Sequence, residues 1–268
     1  MSADITVHQT GAVELPIVPD RTAIAVWWAE LDWTADAIAS AWLQFPAEER
    51  NRADAFRQPL HRGRFIAART CLRRILSAYV DVSPAEVMFE HGPQGKPRLG
   101  KHLSSQGVQF NLAHSAELAV FAVAIGRELG VDLERIRSDV DSLAVAQRTF
   151  TPEEQERLAV VRGDDRLRNF YRYWTCKEAY VKALGAGLSR PLDSFTISLG
   201  VGDPPSVSIY DQSAVRDCTL VDISPNPQFA AALAILDSTE AQPRVILNGS
   251  ETGKAGQVCT QTIPDPAE

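Results

Sequence analysis

Apolar and polar positions alternate along this chain in a way that predicts two equivalent series of elements. Apolar residues with a two-residue period indicate strands, and prolines with early glutamates mark the starts of helices. In each series a strand precedes a short helix and then a longer one. The predicted elements are strands at 23–28 and 129–134, short helices that begin at Pro46 and Pro152, and long helices at 62–80 and 166–184.

Further strands are predicted after each long helix. A turn rich in glycine and proline at 91–100 precedes strands at 108–112 and 118–125. The second long helix ends in the glycines of 185–194 and leads to the runs FTISL, VSIY, CTLVDI and FAAALAIL. Because helices and strands alternate without a βαβ rhythm, we expect an α+β fold with mainly antiparallel sheets.

The two series are related in sequence. A shift of 105 residues brings 13 identical pairs into register over residues 26–80 without a gap, including Phe45 with Phe150 and Cys71 with Cys176. This similarity predicts two copies of one unit, each a long helix packed on a small sheet, related by a pseudo-two-fold axis. Chance similarity between helices of like composition is the alternative. A cleft between two such copies is a common position for a ligand site.

The predicted organisation has four parts. They are an N-terminal extension at 1–18, a first repeat at 19–127, a second repeat at 128–237 and a disordered tail at 238–268, where hydrophobic periodicity is lost.

Composition limits the classes of function. Hydrophobic residues make up 45 % of the chain, which is enough for a full core, and the formal net charge of −7 argues against general nucleic-acid binding. No apolar run reaches the roughly 20 residues of a membrane span, and the start lacks the pattern of a signal peptide. The four cysteines are widely spaced, so we expect a cytoplasmic protein without disulfides or a zinc site.

Basic residues are concentrated in the first repeat. Between Arg50 and Arg74 the chain has eight arginines and one acid, Asp54. A local basic patch on an acidic protein indicates a compact polyanionic ligand. A solvated helix face rich in arginine is the alternative.

Acidic residues define a candidate metal site in the second repeat. Asp132 and Glu134 share one face of a predicted strand, and Glu178 and Lys182 are neighbours on a predicted helix. Carboxylate oxygens are the ligands that Mg²⁺ prefers, and the ion commonly takes further ligands from substrate phosphates. Taken separately, an Asp-x-Glu pair seldom binds metal, and Glu178 with Lys182 is equally often a plain ion pair. His114, at the end of a predicted strand, is a further candidate.

Six motifs together resemble the 4′-phosphopantetheinyl transferases of the longer, pseudo-dimeric type that activates carrier proteins of polyketide and nonribosomal peptide synthesis. They are GKP (95–97), FNLAHS (110–115), GVDLE (130–134), F-T-x-E-E (150–154), WTCKEAYVKALGAGL (174–188) and PLDSF (191–195). The resemblance implies transfer of phosphopantetheine from coenzyme A, the co-substrate, to a serine of an acyl or peptidyl carrier protein, with release of 3′,5′-ADP.

The resemblance also implies roles for individual residues. Asp132, Glu134 and Glu178 match metal ligands for Mg²⁺, with Mn²⁺ as the alternative ion, and Glu178 is also a candidate acceptor of the serine proton. Lys182 and His114 match catalytic positions that contact the phosphates. The residues expected at the adenine and 3′-phosphate end of coenzyme A are Lys96, Pro97, Arg50, Arg52, Arg57 and Arg64.

Two departures from the family pattern, Ala113 and Phe65, each put one hydrogen bond to coenzyme A in doubt. Glu154 and Lys177 are secondary candidates, for which surface charge on a helix is an equal alternative. The rival functions are a non-catalytic module that binds coenzyme A or a carrier protein, and a different Mg²⁺-dependent phosphotransferase. Internal duplication predicts a monomer, and an acidic carrier would need a local apolar or basic contact face on this acidic chain.

Overall fold

The described part of the chain contains six α-helices and twelve strands. The computed structural model describes residues 23–92, 94–185, 187, 190–202, 205–211, 217–237, 244–248 and 259–261, so the predicted extension at 1–18 lies outside it. The helices are α1 (Ala35–Leu43), α2 (Ala47–Asp54), α3 (Pro59–Val80), α4 (Ser142–Thr149), α5 (Pro152–Val160) and α6 (Gly163–Leu184). The strands are β1 (Ala23–Glu30), β2 (Phe89–His91), β3 (Pro97–Leu99), β4 (Val108–Ser115), β5 (Leu118–Ile125), β6 (Glu128–Arg135), β7 (Thr196–Gly202), β8 (Pro205–Tyr210), β9 (Asp217–Asp222), β10 (Phe229–Asp237), β11 (Arg244–Asn248) and β12 (Cys259–Gln261).

The order of these elements confirms the predicted α+β class. A strand, two short helices and a 22-residue helix occur in the same order twice, as β1, α1, α2, α3 and as β6, α4, α5, α6. Local chemistry explains where the helices begin. Thr34 and Thr151 accept hydrogen bonds at the starts of α1 and α5, and Glu154 completes a capping box on α5. The pseudo-two-fold relation and the division into domains stay predictions.

Two sheets and two hairpins account for the strands. The first sheet has the order β12-β11-β1-β5-β4, the second has the order β6-β10-β9, and β2–β3 and β7–β8 form separate hairpins. All pairings are antiparallel except that of β1 with β11. The glycine- and proline-rich turn predicted at 91–100 is thus partly a hairpin.

The C-terminal segment differs from its prediction. A disordered tail is expected over 238–268, but Arg244–Asn248 and Cys259–Gln261 form strands. The apolar run of β11 pairs with the otherwise open edge of β1, from Ala23 to Trp27, and satisfies its backbone groups. The rest of 238–268 lies outside the described residues.

The core is arranged in four layers, helix α3, first sheet, second sheet and helix α6. One apolar cluster packs α3 against the first sheet, and another packs α6 against the second. A third cluster fills the space between the sheets and contains residues of both repeats, such as Val26 and Val120 from the first and Val131 and Leu233 from the second. Because side chains alternate on a strand, β6 directs Val131 and Leu133 towards the first sheet and leaves its other face to α6.

Within the described residues, no helix combines the length and the apolar character that a transmembrane span requires.

Candidate functional site

Strand β6 carries the two acids of the candidate site on the face that packs against α6. Asp132 is buried and Glu134 is half-buried. Two side chains of β4 hold this strand in place from the first repeat. The backbone N–H of Val131 donates to Asn111 Oδ1 at 2.9 Å, and Ser115 Oγ donates to Glu134 Oε2 at 2.8 Å. Asn111 and Ser115 flank His114 in the sequence, so one motif on β4 positions the acidic strand.

Gly130 allows α6 to approach β6 closely. A Cβ atom at this position would lie 2.2 Å from the carbonyl oxygen of Ala179 and 2.4 Å from the backbone nitrogen of Ala183. Only glycine therefore permits this packing without displacement of backbone. The close approach also brings Lys182 of α6 next to the strand. Its Nζ lies 2.6 Å from Asp132 Oδ1.

Residues of both repeats line a cavity of about 480 Å³. The first repeat contributes a wall with basic and apolar side chains, and the second contributes the acids. The lining residues are Arg52, Phe65, Ala68, Arg69, His91, Gly95, Pro97, Leu112, Ala113, His114, Asp132, Leu133, Glu134, Trp174, Glu178 and Lys182.

Burial disfavours the charged form of all three acids in this cavity. Desolvation raises the pKa of Asp132 above its ordinary value, although Lys182 opposes the change. Desolvation likewise raises the pKa of Glu178 and of Glu134, and the charge of Asp132 adds to both shifts. Mutual repulsion between half-buried carboxylates is relieved by a cation, so this wall has the chemistry of a cation site.

Carboxylate oxygens are the type of ligand that a hard divalent ion such as Mg²⁺ prefers. Asp132 Oδ2 is buried and has no hydrogen-bond partner among the described residues, so one carboxylate oxygen is available for a ligand. The described residues nevertheless include no group of three acids, histidines or cysteines close enough together to hold a metal ion. Lys182 instead neutralises Asp132. The acids thus share the cavity, and their role as ligands stays a prediction.

His114 lies in the cavity between cationic groups. Its side chain is exposed to solvent in the open cavity, but nearby protein atoms still remove part of the hydration of the ring. This desolvation, together with the charges of Lys182, Arg64 and His61, lowers the pKa of His114 below its usual value. The neutral imidazole is therefore favoured near pH 7, and it can both donate and accept a hydrogen bond.

The basic wall is organised by ion pairs and hydrogen bonds. Arg52 Nη1 lies 2.6 Å from His91 Nε2, and Glu49 pairs with both Arg69 and Arg73. All three members of the Glu49 cluster are buried. Arg69 lines the cavity, whereas Arg73 donates to the carbonyl oxygens of Pro84 and Val87 and anchors the chain that precedes β2.

Several predicted residues lie elsewhere. Of the four arginines expected at the 3′-phosphate, only Arg52 lines the cavity. Arg50 donates to the carbonyl oxygen of Leu43, and Arg57 and Arg64 line a different groove, where Arg64 pairs with Asp32. Pro97 lines the cavity, but Lys96 does not, because its ammonium donates to the carbonyl oxygen of Leu129 and lies 3.5 Å from Glu128.

The secondary candidates form a structural pair. Glu154 and Lys177 are fully buried, with Lys177 Nζ 2.8 Å from Glu154 Oε1, and neither lines the cavity. The ammonium of Lys177 also donates to the carbonyl oxygens of Leu192 and Phe195. The pair therefore ties α5 and α6 to the segment before β7. The alternative of surface charge is wrong, since neither side chain reaches solvent.

Five residues of the site were not predicted from the sequence, namely Asn111, Ser115, Gly130, Arg69 and His91. The first three lie inside the quoted motifs, and Arg69 belongs to the arginine cluster. Membership of a motif or of this cluster could therefore have indicated these four residues. His91 had no such signal because its contribution depends on the β2–β3 hairpin.

Two family models match separate parts of this chain. The family model described as the 4′-phosphopantetheinyl transferase superfamily matches residues 128–234, and the model described as 4′-phosphopantetheinyl transferase, N-terminal, matches residues 32–125. The 4′-phosphopantetheinyl transferase HetI of Nostoc sp. is 36% identical over 225 residues, which cover 82% of this chain and 92% of that protein. The 4′-phosphopantetheinyl transferase Sfp of Bacillus subtilis is 25% identical over 193 residues, 72% of this chain and 84% of that protein.

Solved structures give a weaker likeness. A holo-(acyl-carrier-protein) synthase from Bacillus anthracis, in complex with CoA, covers 42% of this chain and 96% of its own length with 20% identity and a TM-score of 0.37. A likeness of this extent is too weak to assign any property to this chain.

Proposed function

Because this chain belongs to the 4′-phosphopantetheinyl transferase superfamily, we propose that it takes the 4′-phosphopantetheine group from coenzyme A and releases 3′,5′-ADP. The chain is a 4′-phosphopantetheinyl transferase, and the acceptor is a serine of an acyl or peptidyl carrier protein. The serine oxygen forms a bond to the phosphorus that carries pantetheine, and the bond from that phosphorus to the oxygen of the leaving 3′,5′-ADP breaks.

The observation that carries this proposal is the cavity with one basic and one acidic wall. Arg52 and Arg69 come from the first repeat, whereas Asp132, Glu134 and Glu178 come from the second. Coenzyme A has a 3′-phosphate on its adenosine and a pyrophosphate that contains the reacting phosphorus. A basic wall suits the first group, and carboxylates with a bound cation suit the second.

Arg52, Arg69 and His91 bind the 3′-phosphate in this proposal. A guanidinium makes strong charge-assisted hydrogen bonds to phosphate oxygens. Glu49 holds Arg69 in the wall from behind, so less conformational freedom is lost when the phosphate binds. Arg52 is exposed and paired with His91, so it can exchange this contact for one with the ligand.

In this proposal Asp132, Glu134 and Glu178 would hold Mg²⁺, with Mn²⁺ as the alternative ion. When bound, the ion would supply positive charge that stabilises the charge developing on the leaving group. Lys182 moves from Asp132 to the phosphate oxygens, and His114 donates a hydrogen bond there. Glu178 is the candidate acceptor of the serine proton, because burial raises its pKa towards the neutral range where a general base is most effective.

Both walls of the cavity come from one chain. The proposed enzyme therefore needs no second copy and acts as a monomer. We also propose that it acts in the cytoplasm and that a pseudo-two-fold axis relates its two repeats. The carrier proteins of polyketide and nonribosomal peptide synthesis are the proposed partners.

Mass spectrometry of a carrier protein tests the proposal. The protein is incubated with coenzyme A, Mg²⁺ and an apo carrier protein, and the carrier should gain the mass of one phosphopantetheine group. Substitution of the carrier serine by alanine is the matched control and should prevent the gain. An unchanged mass across carriers from fatty acid, polyketide and nonribosomal peptide systems would exclude the proposed reaction.

A further inference from the structure

A second concave surface lies between α1 and α3, outside the cavity described above. This groove has a volume of about 910 Å³ and includes Leu43, Phe56 and Leu60 in its lining. Their exposed fractions are 76%, 40% and 52%, and they are three of the six large hydrophobic residues that are exposed in the described part of the chain. Exposed apolar side chains gathered in one groove indicate a surface that binds a partner.

The charge of the groove is opposite to that of the whole chain. Arg57, Arg62 and Arg64 line it together with one acid, Asp32, whereas the formal net charge of the protein is −7. Arg64 pairs with Asp32, and Arg62 pairs with Asp54 and lies 4.2 Å from the ring centre of Trp42. Arg57 is exposed and has no ion-pair partner among the described residues. The arginines therefore leave an excess of positive charge around an apolar floor.

The groove and the cavity are both lined by residues of α3. Arg64 lines the groove, and the next residue, Phe65, lines the cavity. The charge of Arg64 also acts on His114, which lies in the cavity. A partner bound in the groove is thus close to the candidate reaction centre.

We propose that the groove docks the carrier protein through an acidic, amphipathic helix. The apolar face of this helix packs on Leu43, Phe56 and Leu60, and its carboxylates face Arg57 and its neighbouring arginines. Packing of an amphipathic helix into an apolar groove is a common mode of recognition. Since an acidic carrier is repelled by most of this acidic protein, a local basic patch orients it. This inference rests on the proposed function, because it names the position at which the acceptor binds.

Steady-state kinetics with coenzyme A and an apo carrier protein test the inference. The test variants are Leu43→Glu, Leu60→Glu and Arg57→Glu, each at an exposed position. Each should raise the KM for the carrier about tenfold or more, while the KM for coenzyme A changes less than about twofold. Val160→Glu is the matched control, because Val160 is 79% exposed and lies on α5, away from the groove. It should leave both constants unchanged.

Other results would overturn the inference and identify a different occupant. A raised KM for coenzyme A with an unchanged KM for the carrier would assign the groove to the pantetheine arm. A dimer of the wild type that Leu43→Glu dissociates in sedimentation experiments would assign it to a second copy of this chain. Wild-type constants in all three variants would leave the transferase function intact and remove the docking site. Absence of any transfer by the wild type would instead contradict the proposed function, and the docking site with it.

Discussion

Single residues in the cavity owe their chemistry to burial. Asp132 has one oxygen paired with Lys182 and one buried oxygen without a hydrogen-bond partner among the described residues. A carboxylate in this situation is costly for the fold and available to a cation. The raised pKa values of Asp132, Glu134 and Glu178 have the same first cause, desolvation, so each acid holds a proton more tightly than an exposed carboxyl group would.

Asp132→Asn should abolish phosphopantetheine transfer while leaving the protein folded. The amide keeps the shape of the side chain but removes the charge that attracts the ion, so we expect a loss of activity of more than about 100-fold. Mg²⁺ should raise the thermal midpoint of the wild type and not that of the variant, because only a ligand that binds the folded state stabilises it. Asp139→Asn, at an exposed acid paired with Arg137, is the control. Full activity of Asp132→Asn would refute the metal assignment.

His114 should titrate below the ordinary histidine value of 6.5 in an NMR experiment on the folded protein. A base with a lowered pKa binds its proton more weakly in the folded than in the unfolded state. Its contribution to the free energy of unfolding is therefore fully present above pH 6.5 and is lost as the pH falls below that value. After desolvation, the charge of Lys182 is the largest cause of the lowered value, so Lys182→Met should raise the pKa of His114. An unchanged pKa in this variant would contradict the proximity of the two side chains.

At the scale of elements, the contact between β6 and α6 determines whether the acids meet. Gly130 lies at this contact, where a Cβ atom would overlap the backbone of Ala179 and Ala183. The strand and the helix each carry part of the candidate site, so their separation would disperse it. The glycine of the GVDLE motif is therefore a packing residue with a direct consequence for function.

Gly130→Ala should destabilise the protein by about 2 kcal/mol or more, because the added methyl group forces α6 away from β6. Transfer activity should fall with it, since Glu178 and Lys182 move relative to Asp132. Thermal or denaturant unfolding measures the first effect. Gly63→Ala, in α3, is the control for stability, because its Cβ would lie 3.9 Å from the side chain of Ile38 in α1, an ordinary van der Waals contact. Equal stability of both variants would contradict the close approach.

The buried pair of Glu154 and Lys177 connects α5, α6 and the segment before β7. Burial lowers the pKa of Lys177, and the charge of Glu154 opposes this shift. Glu154→Gln should lower the free energy of unfolding by about 3 kcal/mol, because the ammonium is left buried without its counter-charge. Glu153→Gln, which breaks an exposed pair with Arg157, should change it little. A small effect of Glu154→Gln would show that the carbonyl groups of Leu192 and Phe195 suffice for Lys177.

At the scale of the whole molecule, the third apolar cluster joins the repeats. It contains Val26 and Val120 on one side and Val131 and Leu233 on the other, all buried. The cavity exists only where this cluster holds the repeats together, because its two walls belong to different repeats. Packing of the first sheet against the second is thus also a requirement for the cavity.

Division of the chain at Gly126 should produce two fragments that do not behave as native domains alone. Each would expose its face of the shared cluster to water, so we expect aggregation or binding of a hydrophobic dye. Co-expression should restore a complex that purifies through a tag on one fragment. Well-folded, monomeric fragments that do not bind the dye would contradict a shared core. The uncut protein with the same tag is the control.

The sequence by itself determined the elements and the motifs of this protein. Local periodicity, proline positions and glutamates near helix starts correctly predicted β1, α2, α3, β6, α5 and α6, because these signals act between near neighbours in the chain. The two-residue alternation along β6 was also sufficient to put Asp132 and Glu134 on one face of the strand. Matches to the motifs indicated the family, and the comparisons confirmed it.

Only the tertiary structure decided which candidates share the cavity. Arg52 and Arg69 reach it, whereas Arg57 and Arg64 line the α1–α3 groove, although all four belong to the same run of arginines. The direction in which each arginine side chain points depends on partners that are distant in sequence. Asp32 is such a partner for Arg64. The pairing of β11 with β1 and the burial of Lys177 likewise depend on groups far along the chain. Local pattern cannot specify such contacts, because their energy is gained only after the chain has folded.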